Sequence, residues 1–283
     1  MNYRHAFHAG NFADVLKHAV LCRVLVHLRG KPAAFRIIDT HSGGGLYDLT
    51  GPQASRSGEW RDGIGRLRAA RLGGEAASLL APYLDTVAAL NPGAALTRYP
   101  GSAALARAWL RPQDRLVACE IEPAAAAALS HTLAGDARCK LLRLDGWTAL
   151  RAQIPPKERR GMVIVDPPFE QPDEFARLQD GIAAAHRRWA SGIVMLWYPV
   201  KDRRGPDALA KGLRRLGIGK LLRSELTVGG PAQPARLQQC GLIIANPPWT
   251  LERDLAVLLP ALAKGLSAGR PGAFRLDWLA REK

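Results

Sequence analysis

Four short apolar runs in this chain each end on an acidic residue at the mouth of a turn. They occupy residues 34–39 (AFRIID, then THSGGG), 115–120 (RLVACE), 140–145 (KLLRLD, then Gly146) and 162–166 (MVIVD, then Pro167-Pro168-Phe169). Runs of this length, rich in Val, Ile and Leu and closed by turn residues, read as buried strands. Further strands are expected at residues 192–197, 220–228 and 240–245, making seven. Helical patterns separate them at residues 123–134, 174–190, 205–215 and 250–266. Another helix, at residues 11–29, precedes the first strand. Asn11 can cap it, Asp14 lies in its first turn where the helix dipole favours an anion, and Gly30, Lys31 and Pro32 end it. This alternation implies a doubly wound α/β sheet. In such a sheet the carboxyl ends of the parallel strands form the ligand crevice. The four acids are therefore expected along one rim.

The last two strands are joined by a turn-rich segment holding Gly229, Gly230, Pro231 and Pro234, and are expected to pair antiparallel at the sheet edge. One interval is too long. A strand–helix–strand step takes ~30 residues, whereas about 75 separate the first two strands. The excess, residues 48–100, carries helical patterns and reads as a small inserted helical subdomain. Residues 1–47 and 101–283 then form a Rossmann-like domain.

Composition narrows the partners. The formal charge of +15 and pI near 10.3 point to a polyanion, although a bias toward Arg would give the same numbers. Arg56, Arg61, Arg66, Arg68 and Arg71 of the insertion are candidate RNA contacts, or a solvated helix face. No apolar run reaches the length of a membrane span, and the N-terminus lacks a signal-peptide pattern. Cys22, Cys119, Cys139 and Cys240 form no CxxC pair and read as reduced thiols. A cytoplasmic monomer without metal is expected.

The run ending in Asp166-Pro167-Pro168-Phe169 carries the chemistry. An amino nitrogen on an aromatic base is a poor nucleophile, because its lone pair is delocalised into the ring. Two acceptors on its hydrogens favour a tetrahedral nitrogen and free that pair. Asp166 and the Pro167 carbonyl are suitable acceptors, Pro168 stiffens the turn, and Phe169 can stack on an extruded base. The turn from Asp39 through Gly45 would let backbone approach a cofactor closely, without the GxGxxG of a dinucleotide fold. Glu120 is placed for a ribose diol and Asp145 for a cofactor adenine. His18 and His41 are further candidate cofactor contacts, while His5 and His8 touch substrate or are solvated. Asn246-Pro247-Pro248-Trp249 offers the same chemistry as the Asp166 motif. It follows the seventh strand, at the expected sheet edge, and reads as structural or as a wall of the base pocket.

With these residues in view, the chain resembles the bacterial 23S ribosomal RNA (adenine-2030-N6) methyltransferase family. The resemblance rests on residues 3–18 (YRHAFHAGNFADVLKH), 39–45 (DTHSGGG), 99–102 (YPGS), 119–123 (CEIEP), 144–146 (LDG), 165–170 (VDPPFE), 196–200 (LWYPV) and 246–249 (NPPW). It implies a class I Rossmann-like methyltransferase with a helical insertion, using S-adenosylmethionine on 23S ribosomal RNA. It also implies cofactor contacts at His18, His41, Ser102, Glu120, Asp145 and Gly146, catalysis by Asp166, and an RNA contact at Tyr3. Phe169 stands where the family usually has Tyr, and SGGG where AGAG is common. A guanine-N2 methyltransferase, or an RNA-binding protein on a relic methyltransferase scaffold, are the alternatives.

Overall fold

The computed structural model describes residues 4–230 and 236–281; the expected RNA contact Tyr3 lies outside them. Helix α1 (Phe12–Arg29) starts at Asn11, whose side chain accepts from the Ala13 and Asp14 amides. It is buried along nearly its whole length, so it forms a central element of the core.

The parallel strands are β1 (Arg36–Asp39), β4 (Arg115–Cys119), β5 (Cys139–Leu142), β6 (Gly161–Val165) and β7 (Ile193–Pro199). Three more complete the sheet: β8 (Leu221–Thr227), β9 (Gln239–Ala245) and β10 (Ala273–Ala280). The order is β10-β8-β9-β7-β6-β1-β4-β5. This is the doubly wound sheet expected, with eight strands in place of seven.

The sheet edge differs from expectation. Strands β8 and β9 do pair antiparallel, but β9 inserts between β7 and β8, and β10 forms the edge. The physical reason lies in both faces of β10. Its Asp277 accepts twice from the buried Arg223 guanidinium of β8, at 2.8 and 2.7 Å, and Trp278 donates to Glu252 of α10 (Leu251–Gly265).

Helices cover both faces. Residues of α1, α5 (Ser102–Ala108), α6 (Pro123–Leu133) and α10 share one core cluster; those of α7 (Gly146–Gln153), α8 (Glu174–Arg188) and α9 (Arg204–Arg214) share a second. Between β1 and α5 a small antiparallel pair, β2 (Leu46–Asp48) with β3 (Arg98–Pro100), brackets α2 (Pro52–Ser57), a kinked turn at Arg61–Gly65, α3 (Arg66–Ala69) and α4 (Gly74–Ala89). The kink falls at Gly63, where a Cβ would stand 2.0 Å from the Gly10 carbonyl oxygen. Leu80, Tyr83 and Val87 of α4 are buried in the same core as α1. No helix among the described residues is long and apolar enough to cross a membrane.

Candidate active site

Asp166, Asp39, Glu120 and Asp145 follow four strands that are adjacent in the sheet, β6-β1-β4-β5, and all run the same way. The fold thus puts the four acids on one rim. Each is held differently. Asp39 is fully buried, and its Oδ2 accepts from the Ser102 hydroxyl at 2.6 Å. Its Oδ1 is buried with no hydrogen-bond partner, and burial pushes its carboxyl up to about 6. Glu120 accepts from the Gly43 and Glu122 amides, each at 2.8 Å, tying the Gly-rich turn to β4. Asp145 caps α7, accepting from the Thr148 amide at 2.9 Å, and its Oδ1 lies 4.0 Å from Arg177.

Gly146 faces the Gly-rich turn so closely that a Cβ there would meet the Thr40 carbonyl at 2.4 Å and the His41 ring at 2.6 Å. His41 Nδ1 lies 2.8 Å from the Thr40 hydroxyl, which donates its one proton to the Ile164 carbonyl. His41 Nδ1 must therefore donate, leaving Nε2 as an acceptor. Burial lowers this imidazole to about 4, so it is neutral.

The catalytic candidate has a partner that the sequence reading missed. Lys17 of α1 is ion-paired with Asp166 Oδ2 and lies 2.9 Å from Asp14 Oδ1. Asp14 lies in the first turn of α1, as expected. It is buried, and its Oδ2 also accepts from the Gly10 amide at 2.9 Å and pairs with His5 Nε2 at 3.0 Å. Burial alone would lower Lys17, but the two carboxylates outweigh it and hold the ammonium well above its ordinary value. Burial likewise pushes Asp14 up, and His5, Lys17 and His18 outweigh that. The available signal was the spacing of Asp14, Lys17 and His18, a polar i, i+3, i+4 face on the otherwise apolar first half of the helix.

His18 is fully buried, its Nδ1 2.7 Å from the Tyr99 hydroxyl, which pairs in turn with Tyr83 at 2.8 Å. Burial lowers it to about 3, and its Nε2 has no hydrogen-bond partner. His5 and His8 are engaged, with Asp14 and Glu59 respectively, rather than solvated.

Phe169 adopts φ +51°, a left-handed conformation that costs a non-glycine residue on the order of 1 kcal/mol. Edge-to-face packing on Phe175 (5.1 Å) and Trp197 (5.7 Å) holds it there. The Asn246 motif is elsewhere. Ala245 pairs with Val194 and Leu221, at the amino ends of β7 and β8, so Asn246 sits at the opposite end of the sheet. Its amide donates to the Ala190 and Gly192 carbonyls, at 2.7 and 2.8 Å. It cannot be a wall of the base pocket.

The model of the family described as ribosomal RNA large subunit methyltransferase D, RlmJ, matches residues 32–280. The chain belongs to that family. It is 36% identical over 283 residues to the ribosomal RNA large subunit methyltransferase J of Haemophilus influenzae, covering all of both chains. It is equally similar, 36% over 282 residues, to the Escherichia coli protein of the same name. A crystal structure of a Legionella pneumophila protein superposes with a TM-score of 0.86 at 31% identity, covering 96% of this chain and 98% of the other. Membership of a methyltransferase family makes S-adenosylmethionine the cofactor.

Proposed function

We propose that the chain transfers a methyl group from S-adenosylmethionine to N6 of an adenine in 23S ribosomal RNA, at the position numbered 2030 in the family it resembles, in the cytoplasm. The observation that carries this is the Asp166 carboxylate, at the end of β6 beside three further strand-end acids, with Lys17 fixed on one of its oxygens.

The residues present suit the cofactor. Asp39 Oδ1 is a buried acceptor without a partner, suited to the ammonium of the cofactor's amino-acid end. Glu120 is suited to the ribose diol, and Asp145 with neutral His41 to the adenine. Ser102 acts through Asp39, and Gly146 leaves the space. His18 Nε2, buried on α1 without a hydrogen-bond partner, is a further polar atom suited to the cofactor. When bound, S-adenosylmethionine supplies an electrophilic methyl group. The chain's own work is alignment and hydrogen bonding. Lys17 occupies Asp166 Oδ2, which leaves Oδ1 for one amino hydrogen; the Pro167 carbonyl takes the other. Phe169 gives the base a stacking face. After transfer the nitrogen is cationic, and its extra proton passes to Asp166 or to water.

Residues 48–100 are best described as an insertion whose arginines are partly engaged: Arg66 pairs with Asp62 at 2.6 Å and Arg61 stacks on Trp60. We expect Tyr3 to add an RNA contact and the enzyme to act as a monomer without metal. Methylation of adenine-containing and guanine-containing RNA with labelled cofactor tests the base assignment. Label in N6-methyladenosine supports it, and label in guanine overturns it.

A further inference from the structure

The sequence singled out Asn246-Pro247-Pro248-Trp249, and the catalytic site does not use it. The structure makes this motif a rigid mount for an exposed aromatic. Asn246 is pinned by two side-chain bonds to the 190–192 turn and by its own amide, which donates to the Lys220 carbonyl at 3.0 Å. It adopts φ +50°, which asparagine tolerates. Two prolines follow, and the Pro248 carbonyl accepts from the Leu251 amide at 2.9 Å as α10 begins. On this mount Trp249 is 85% exposed. It is the most exposed large apolar side chain among the described residues.

Cations gather at this end of the sheet. Arg253, exposed, lies in the first turn of α10 between Glu252 and Asp254, which pair with Arg281 and Arg23. Arg187 and Arg188 end α8 just before Ala190, whose carbonyl holds Asn246. With Arg151 of α7 and a single acid, Asp180, they line a groove of about 410 Å³ between the two helices. The groove and the exposed aromatic stand at the same end of the sheet, joined through the Ala190–Asn246 bond. Cations and an exposed ring together are how proteins hold single-stranded nucleic acid: phosphates lie on the cations and a base stacks on the ring.

We propose that Trp249 stacks an unpaired nucleotide of the RNA substrate, whose phosphates run along the Arg151–Arg187–Arg188 groove. The platform lies at the end of the sheet opposite the methyl-transfer crevice, about 20 Å away by the rise of β7. It rests on an RNA substrate, and not on which base or atom is methylated. It gives the enzyme a second grip on RNA remote from the target base.

The test is fluorescence polarisation with a labelled oligoadenylate of about twelve nucleotides and with a 23S ribosomal RNA fragment, across a salt series. Trp249→Ala should weaken oligomer binding about 5- to 150-fold, the range for one stacked base, and Trp249→Phe should retain most of it. Arg187→Ala with Arg188→Ala should flatten the salt slope by up to about 1.4. S-adenosylhomocysteine affinity should be unchanged in both. Asp166→Ala, by contrast, should keep oligomer binding, so failure of the catalytic assignment is seen separately. Unchanged affinity in Trp249→Ala overturns the proposal. So does a wild-type dimer that Trp249→Ala converts to monomer in sedimentation, because a second copy of the chain would then cover the indole.

Discussion

Lys17→Met is the substitution with the most readable consequence. The ammonium is 5% exposed and joins Asp14, 2% exposed, to Asp166. Removing the cation leaves two nearby carboxylates, one fully buried. Breaking a buried pair in this way costs about 3–5 kcal/mol. Asp14 keeps the Gly10 amide and His5, which argues for the lower end, ~3 kcal/mol. At about 2–4 °C per kcal/mol for a chain of this size, the melting temperature should fall by ~6–12 °C at pH 7. The sign with pH is also fixed. In the wild type, Asp14 is held well below its ordinary value, so its contribution is present above the unfolded value of 3.8 and is lost on further acidification. In the variant the uncompensated carboxylates gain proton affinity, so acid relieves the defect. Calorimetry at pH 7 and pH 5 should show the gap between the two proteins narrowing at the lower pH. Asp14→Asn combined with Lys17→Met should recover part of the lost stability but no methyl transfer. A Lys17→Met protein that melts with the wild type at both pH values would show that no ion cluster exists there.

Three further outcomes follow from the rim. Glu120→Ala should weaken S-adenosylhomocysteine binding by about 1.5–3 kcal/mol in calorimetry, and unchanged affinity would remove Glu120 from the cofactor site. Phe169→Tyr should be mild, while Phe169→Ala should lose ~1–3 kcal/mol at limiting RNA; equal tolerance of the two would mean that no base stacks there. Asp39 has a raised carboxyl, about 6 against 3.8, so its stabilisation is full below pH 3.8 and is lost as pH rises through 6. Relative to wild type, Asp39→Asn should therefore gain up to about 3 kcal/mol of stability between pH 4 and pH 7 in denaturant melts; a difference that does not vary with pH contradicts this.

The sheet was legible because its central strands are short apolar runs, each closed by an acid and a turn. The rim followed from chain direction alone. What escaped depended on partners distant in sequence. Strand β10 alternates Leu276 and Trp278 with Arg275 and Asp277, but its place at the edge depends on Arg223 and on Glu252 of α10. Short α5 and α7 were too brief for periodicity to declare them. The Asn246 motif resembled a second catalytic turn because a sequence does not state strand direction; antiparallel β9 carries it to the wrong end. Lys17 was hidden because its two carboxylate partners are 3 and 149 residues away, and only folding brings the second to it.

The most direct measurement is single-turnover methylation of 23S ribosomal RNA with labelled S-adenosylmethionine at saturating cofactor, comparing wild type with Asp166→Ala and digesting the product to nucleosides. The wild type should place all label in N6-methyladenosine. Asp166→Ala should be slower by about 10²-fold or more with unchanged S-adenosylhomocysteine affinity, as expected when a preorganised hydrogen-bond partner is removed. Near-normal turnover by Asp166→Ala, or label recovered in guanine, would contradict the assignment of Asp166 to an adenine amino group.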